Sequence, residues 1–176
     1  SGGREWVCSR AHGDVLEVGV GTGLNFPLYP SGVRLTGVDL SPEMLALARQ
    51  RAEELGQEIE LREADAESLP FGDESFDTVV CALSLCAIPD DRAAIREMWR
   101  VLRPGGRLLL LDHVGSHWRL VWGAQRLFEL FTVRAAGEHQ TRRPLPLAQA
   151  AGFAVDESER LKAGTVERVA ATKPAR

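Results

Sequence analysis

The chain has 176 residues, 44% of them hydrophobic, which predicts a single globular domain over residues 1–176 with a sizeable buried core. Its 21 basic and 25 acidic residues are mixed along the sequence and give a net charge of −4, so no basic stripe is available to bind nucleic acid. The apolar runs fall short of the roughly 20 residues that span a bilayer, which predicts no stable membrane insertion, and three cysteines without metal-type spacing favour a reducing, cytoplasmic setting.

Short apolar runs alternate with helical patterns in the first two thirds of the chain, as in a parallel sheet with helical crossovers. The predicted strands are residues 14–18, 33–38, 59–63, 77–83 and 107–113. The helix between the second and third strands has Ser41 as its N-cap, Pro42 as its first residue and Gly56 at its end. A further helix, "DDRAAIREMWRVL", is ended by "RPGG", and the fifth strand follows at once.

The last third of the chain predicts a different arrangement. Aromatic residues have helical spacing in "WRLVWGAQRLFELF", and the polar stretch "AAGEHQTRRP" follows. A short helix ending at Gly152 precedes two strand-like runs, "FAVDESERL" and "TVERVAATK". Since the connection between these runs is too short for a crossover helix, they must pair antiparallel. The whole pattern predicts a doubly wound, mostly parallel α/β sheet that ends in an antiparallel hairpin.

A glycine-rich loop, "GVGTG", follows the first strand and contains Gly19, Gly21 and Gly23. In an open parallel sheet a ligand binds at the carboxyl ends of the strands, and the loop after the first strand is its usual place. Because glycine has no Cβ, the backbone of this loop can approach a ligand closely. Leu24 stands where a dinucleotide fingerprint has its last glycine, so the spacing disfavours a pyrophosphate ligand.

Three carboxylates accompany this loop. Asp39 ends the second strand, where it can accept hydrogen bonds from both hydroxyls of a ribose. Asp65 follows the third strand, where its carboxylate and the backbone N–H of Ala66 can bind the edge of an adenine. Glu17 lies in the first strand just ahead of the glycines, and its negative charge favours a cationic ligand over a pyrophosphate.

Together these segments resemble the class I S-adenosylmethionine-dependent methyltransferases (methyltransferase type 11-like). "VLEVGVGTG", "LTGVDLSPEML", "READAESLPFGDESFDTVVCALSLCAIPD" and "MWRVLRPGGRLLLLDHV" are similar to the successive signature segments of that family, in the same order. The resemblance implies a Rossmann-like doubly wound seven-stranded sheet with strand order 3-2-1-4-5-7-6 and strand 7 antiparallel. It also implies an enzyme whose cofactor is S-adenosyl-L-methionine.

The same resemblance assigns the cofactor-binding residues. The glycine loop would hold the methionine and ribose parts, Asp39 the ribose hydroxyls, and Asp65 with Ala66 the adenine, while Phe71 and residues 82–85 would line the site. The full predicted set is Glu17, Gly19, Gly21, Gly23, Asp39, Leu40, Asp65, Ala66 and Ala82.

A narrower resemblance concerns the methyl acceptor. "GVGTGLNFPLYP", and "LDHV" followed by "GEHQTRRP", are similar to segments of bacterial phosphatidylethanolamine N-methyltransferase-like proteins and vertebrate microsomal thiol methyltransferases. This similarity implies transfer to N, O or S of a small-molecule or lipid-like acceptor, with peripheral contact with a membrane. Those relatives carry additional N-terminal helices over the cofactor, so the early first strand here predicts a short or truncated lid.

Candidate catalytic and substrate-binding residues lie in the second half of the chain. His113 ends the fifth strand and is the predicted general base, because a histidine can accept a proton near neutral pH; the alternative is that it only shapes the pocket. Asp112 points to the opposite face and is less favoured. His139 and Trp118 are predicted to contact the substrate, against the alternatives of an exposed loop histidine and a core aromatic. Methyl transfer from a sulfonium leaves a neutral product, so no metal is expected.

Several alternatives remain open at this stage. Arg142 and Arg143 could bind an anionic acceptor or lie in a solvated loop. The chain could be a non-catalytic S-adenosylmethionine-binding protein or a partner of an active methyltransferase. An NAD(P)-dependent oxidoreductase is a further alternative, which the glycine spacing disfavours.

Overall fold

A computed structural model describes residues 2–114, 143–161 and 165–175. Within these ranges lies one seven-stranded sheet with the order β3-β2-β1-β4-β5-β7-β6. Neighbours among β1 to β5 pair in parallel, whereas β7 pairs antiparallel with both β5 and β6. The strands are β1 Asp14–Val18, β2 Arg34–Asp39, β3 Glu60–Glu63, β4 Phe76–Ala82, β5 Leu102–His113, β6 Ala154–Leu161 and β7 Val166–Thr172. The predicted strand order and the antiparallel seventh strand are therefore confirmed.

Helices pack on both faces of this sheet. They are α1 Gly3–Cys8, α2 Pro42–Leu55, α3 Asp91–Val101 and α4 Pro144–Ala150, with 3₁₀ turns at Phe26–Leu28 and Leu85–Ala87. Buried residues of α1 and α2 belong to one hydrophobic cluster, and those of α3 and α4 belong to a second cluster on the other face. None of the helices in the described ranges has the length and apolar character needed to cross a membrane.

The interior strand β5 explains why both faces of the sheet need helices. Leu108 and Leu110 belong to the cluster with α3, while Leu109 and Leu111 belong to the cluster with α1. All four leucines are buried. A continuous apolar run of this kind is typical of a parallel strand that is covered on both sides.

The helix α2 begins and ends as its sequence predicts. The Ser41 side chain accepts a hydrogen bond from the Met44 N–H at 3.2 Å, and Pro42 occupies the first turn. Gly56 ends the helix in the left-handed conformation, with φ at 63°. This capped helix follows β2 directly, so its N-terminus lies at the carboxyl edge of the sheet.

The start of β5 differs from the prediction. The sequence predicts that "RPGG" ends the preceding helix and that the strand starts at residue 107, but β5 already begins at Leu102. Phe76 of β4 pairs with Leu102 and Thr78 pairs with Arg107, so the intervening residues bulge out of the ladder. Gly105 lies in this bulge with φ at 79° and donates its N–H to the Lys173 carbonyl at 2.8 Å. The helix α3 ends at Val101, just before this segment, as predicted, whereas the bulge keeps residues 102–106 in the sheet, so the predicted start of the strand is five residues late.

Candidate active site

A cleft of about 540 Å³ opens at the carboxyl ends of β1, β2 and β4. The strand order reverses between β1 and β4, which makes this the crevice where ligands bind in doubly wound sheets. Several of the predicted cofactor-binding residues line it together: Gly19, Asp39, Leu40, Asp65 and Ala66. Apolar residues after β4 also line it, including Ile88 and Pro89, which the sequence analysis did not single out. Their only signal in the sequence is that they follow a strand that ends at this edge.

Asp39 connects two elements of the cleft wall. One carboxylate oxygen, Oδ2, accepts the Gly21 N–H at 2.8 Å, and the other, Oδ1, accepts the Ser41 N–H at 3.0 Å. Each carboxylate oxygen has two lone pairs, so each can still accept a hydrogen bond from a ligand hydroxyl. Asp39 thus holds the glycine loop against the N-terminus of α2 and keeps acceptor capacity for a diol.

The three glycines of the loop differ in their surroundings. Gly19 lines the cleft with φ at 72°, and a Cβ at this position would overlap the Ser84 side chain. Gly23 lies outside the lining with φ at 75°, and a Cβ there would overlap the Phe26 ring. A left-handed φ and a close neighbour therefore both favour glycine at these positions. The third, Gly21, has open space where its side chain would be.

A hydroxyl from the β4 side fixes the opposite wall of the cleft. The Ser84 Oγ donates to the Gly19 carbonyl at 2.9 Å, which joins the loop after β4 to the glycine loop. Leu83 precedes it with φ at 61°, an uncommon conformation for a leucine and typical of functional turns. The predicted residue Ala82 is buried and lies outside the cleft lining, so the next two residues form this wall.

Asp65 and Ala66 lie in a turn after β3. The Asp65 Oδ1 accepts the Glu67 N–H at 2.9 Å, and its carbonyl accepts the Ser68 N–H at 3.1 Å. The predicted neighbour Phe71 does not line the cleft, because its ring packs edge-to-face on Phe76 with centroids 5.0 Å apart. The turn, rather than the aromatic residue, therefore forms this end of the cleft.

Glu17 lies beneath the glycine loop and not in the cleft lining. Its side chain is fully buried and accepts a hydrogen bond from Asn25 Nδ2 at 2.6 Å. Burial raises the pKa of Glu17 to about 7, against the opposing effect of the Asn25 hydrogen bond. The predicted contact of Glu17 with a cationic ligand stays a prediction.

His113 is the exposed last residue of β5, and it is not among the residues that line the cleft. The neighbouring Asp112 is buried; its Oδ2 accepts the Cys86 N–H at 2.8 Å and its Oδ1 accepts the His113 N–H at 2.7 Å. Burial raises the pKa of Asp112, while these hydrogen bonds lower it. A ring nitrogen of His113 lies within 4.8 Å of the Cys86 sulfur, and Ala87, the next residue, lines the cleft. His113 therefore lies at the margin of the cleft.

The predicted substrate residues His139 and Trp118 lie in residues 115–142, outside the described part of the chain. Arg143 is described, and its guanidinium donates to the buried carboxylate of Glu167 at 3.1 Å. Arg160 donates to the same oxygen at 3.2 Å. Arg143 therefore forms an ion pair with Glu167 although its own side chain is exposed, and the alternatives for Arg142 and Arg143 stay predictions.

Comparisons with known proteins agree with this geometry. The sequence pattern of the family described as methyltransferase domain matches residues 16–110, more than half of the chain. A phosphatidylethanolamine N-methyltransferase of Cereibacter sphaeroides is 50% identical over 103 residues, which cover 57% of this chain and 51% of that protein. The human thiol S-methyltransferase TMT1B is 39% identical over 121 residues, covering 65% of this chain and 49% of that protein.

A solved structure shares the fold over most of its length. A SAM-dependent methyltransferase from Methanosarcina mazei superposes with a TM-score of 0.75 at 25% identity, covering 93% of each chain. The chain spans about half the length of the curated relatives that it matches.

Proposed function

Because the chain belongs to the methyltransferase domain family, we propose that it transfers the methyl group of S-adenosyl-L-methionine to a small-molecule or lipid-like acceptor. The matched residues include the end of β1 and all of β2, β3 and β4, and therefore the loops that form the cleft. One observation carries the proposal: the Asp39 carboxylate lies in the cleft wall, tied to Gly21 and Ser41, with both oxygens able to accept further hydrogen bonds.

We assign the parts of the cofactor along this cleft. The ribose hydroxyls would donate to Asp39, and the adenine would lie near Asp65 and Ala66 with Leu40 and Ile88 as apolar neighbours. The aminoacyl end would lie along the glycine loop. The ribose would then lie at the carboxyl end of β2, beside the reversal of strand order between β1 and β4, the usual region for a nucleoside in a doubly wound sheet.

The chemistry requires alignment more than acid or base strength. When bound, S-adenosyl-L-methionine supplies a methyl group on a positively charged sulfur and leaves as a neutral thioether. Holding the acceptor in line with that carbon, in a site that excludes water, can lower the barrier by about 7–11 kcal/mol. Because an acceptor group would have to give up a proton when it receives the methyl group, we propose that His113 would accept that proton. No residue role in this mechanism requires a metal.

The acceptor itself is proposed from the names of the relatives. Those names specify a phospholipid amine and a thiol, so an amine or thiol on a small or lipid-like molecule is the favoured class. His139 and Trp118 remain the proposed acceptor contacts. We further propose a single domain over residues 1–176, a cytoplasmic location and peripheral contact with membranes.

A transfer assay with isotopically labelled S-adenosyl-L-methionine tests this function. We expect label to enter a phosphatidylethanolamine or thiol acceptor in a panel that also includes phenols and quinones, and calorimetry to detect binding of S-adenosylhomocysteine. Binding without transfer to any acceptor would favour the non-catalytic alternative. Thermal stabilisation by NADH and not by S-adenosylhomocysteine would contradict the proposed cofactor.

A further inference from the structure

Two buried polar side chains bracket the glycine loop. Glu17 lies in β1 just before the loop, and Asn25 lies just after it, at the start of the first 3₁₀ turn. Glu17 is 0% exposed and Asn25 is 5% exposed, and the Asn25 amide nitrogen donates to Glu17 Oε1 at 2.6 Å. This hydrogen bond joins the two ends of the loop beneath the cleft.

The remaining oxygens of this pair lack hydrogen bonds. Glu17 Oε2 and Asn25 Oδ1 are both buried, and neither has a hydrogen-bond partner of normal geometry within the described part of the chain. The buried Tyr29 hydroxyl lies beside Glu17 and can donate to its carboxylate, which still leaves Asn25 Oδ1 without a donor. Leaving a buried polar atom unpaired is costly, and such atoms are rare in folded proteins. Both atoms are acceptors when the carboxyl group is ionised, so neither can satisfy the other. A proton on Glu17 changes this, because a carboxylic acid and a primary amide can exchange two hydrogen bonds.

We propose that Asn25 is a positioning residue for the glycine loop and that it acts through a proton carried by Glu17. In this pair the Glu17 hydroxyl donates to Asn25 Oδ1, while Asn25 Nδ2 donates to Glu17 Oε1. These two hydrogen bonds between Glu17 and Asn25, here called the clasp, join the two ends of the glycine loop. The Gly21 N–H of the same loop donates to Asp39. The link from this clasp to cofactor binding rests on the function proposed above; the clasp itself does not.

The surroundings of Glu17 favour its neutral form. Burial raises the pKa of Glu17 to about 7, although hydrogen bonds from Asn25 and Tyr29 lower it. The charge of Arg4 on α1 also lowers this pKa, and the charge of Asp39 has a smaller raising effect. Three other titratable groups, Cys8 of α1, Cys81 of β4 and Tyr29 after the 3₁₀ turn, interact with Glu17. Burial raises the pKa of each of these three groups, to about 12 for Cys8. Among these neighbours, Glu17 is therefore the group that changes charge near neutral pH.

Because the pKa of Glu17 is raised in the folded state, the stability of the fold should fall as pH rises. A carboxyl group whose pKa is higher in the folded state stabilises that state at low pH, and this contribution is lost as pH rises from about 4.5 towards about 7. The clasp and the loop geometry that depends on it should weaken over the same interval.

Glu17→Gln is the informative variant, because a glutamine amide can form the same two hydrogen bonds at every pH. Urea unfolding of wild type and Glu17→Gln at pH 5 and pH 8 needs no ligand. We expect the unfolding equilibrium constant of wild type, relative to that of Glu17→Gln, to rise by about 10- to 100-fold between these pH values. Glu53→Gln, on the exposed side of α2, is the matched control and should follow wild type. A Glu17→Gln profile parallel to wild type would overturn the proposal.

The positioning role has a separate readout in ligand affinity. Asn25→Leu should weaken binding of S-adenosylhomocysteine at both pH 6 and pH 8, and wild type should lose affinity relative to Glu17→Gln as pH rises. Wild-type affinity in Asn25→Leu would overturn the positioning role, and if this variant does not fold, the Glu17→Gln profiles decide. If wild type binds no S-adenosylhomocysteine at any pH while the unfolding profiles separate as expected, the proposed function fails and the clasp stands.

Discussion

At the scale of single residues, Asp39, the proposed acceptor of the ribose hydroxyls, also has a structural role. Its carboxylate accepts two backbone N–H groups, one from the glycine loop and one from the N-terminus of α2. The sequence predicts its position at the end of a strand, but not these two hydrogen bonds, because they depend on how the loop folds back. A substitution at Asp39 must therefore affect both ligand affinity and loop geometry.

We expect Asp39→Ala to weaken S-adenosylhomocysteine binding by at least about 10-fold in calorimetry, since a charged acceptor of ribose hydroxyls is lost. The same change leaves the Gly21 and Ser41 N–H groups without their acceptor, and should lower the free energy of unfolding by about 1–3 kcal/mol. Unchanged affinity would refute the ribose assignment, and the unfolding measurement shows whether weaker binding comes with an intact fold.

For His113 the expected effect is on transfer alone. If its imidazole accepts the acceptor's proton, His113→Ala should reduce kcat/KM by about 10²-fold and spare S-adenosylhomocysteine affinity. His12 offers a matched control, because it is an exposed histidine before β1, at the opposite edge of the sheet. Turnover close to wild type in His113→Ala would show that His113 is not the general base and only shapes the pocket.

The buried hydrogen bond of Asn25 with Glu17 is a feature that the sequence does not predict. In "GLNFPLY" an asparagine is typical of a solvated loop, and nothing in the spacing indicates a hydrogen bond to a residue eight positions earlier. Its burial results from the packing of the 3₁₀ turn on the sheet, which is a tertiary effect. The positions of the loop glycines, in contrast, are predictable from the sequence, because the left-handed backbone conformation that favours glycine is a local property.

At the scale of elements, α3 holds the segment that follows the adenine-side turn. The Arg100 guanidinium donates to the carbonyls of Leu69 and Phe71 at 3.0 and 2.8 Å. It also pairs with Glu97 and Asp73, and these carboxylates hold its pKa above the usual range. Arg100 thereby fixes the chain that leads away from Asp65.

Arg100→Lys keeps the charge but removes the planar fork that reaches two carbonyls and two carboxylates at once. We expect the free energy of unfolding to fall by about 1–3 kcal/mol in urea titrations, because several hydrogen bonds are lost together. Arg96, also on α3, provides a control as Arg96→Lys, which should change little because its side chain is exposed. Equal unfolding free energies for wild type and Arg100→Lys would contradict the bracing role.

Some boundaries of helices and strands are predictable from the sequence, and others are not. The capped helix α2 follows from Ser41, Pro42 and Gly56, whose effects are local. The bulge at the start of β5 is not predictable from the local sequence, because "RPGG" also has the composition of a turn. Pairing with β4 and the Gly105 hydrogen bond to Lys173 keep this segment in the sheet, and such contacts are distant in sequence.

At the scale of the whole molecule, charges cluster at the edge of the sheet opposite the cleft. Arg103 pairs with Asp14 at 3.0 Å and with Asp77 at 2.7 Å, near the amino ends of β1 and β4. The Arg34 hydrogen bond lowers the pKa of Asp14, and Arg103 lowers that of Asp77 despite the opposing effect of partial burial. A lowered carboxyl pKa stabilises the fold above the usual value of 3.8 and ceases to do so as pH falls.

Arg103→Gln should therefore cost about 1 kcal/mol of unfolding free energy at pH 7, and less at pH 3, where the carboxyl groups take up protons. Affinity for S-adenosylhomocysteine should be unchanged, because the substitution lies at the opposite edge from the cleft. Urea unfolding at both pH values, with calorimetry at pH 7, checks this expectation. A loss that is larger at pH 3 would contradict the assigned sign.

Strand order is predictable from this sequence because the signature segments occur in family order and the connection between the last strands is short. The acceptor contacts are not predictable in this way, because the helical spacing around Trp118 does not fix the position of that segment relative to the cleft, and His139 lies in a polar stretch without a spacing pattern.

The insertion of β7 between β5 and β6 has a consequence for synthesis on the ribosome. Leu108 to Leu111 pair on one side with β4, but their other edge is covered only by residues 169–171 and neighbours, which are translated some sixty residues later. Until those residues emerge, the nascent chain presents an apolar, unpaired strand edge, which is a template for intermolecular association. Chaperone demand should therefore be greatest in this interval, and a ribosome stalled between the two strands should leave an aggregation-prone product.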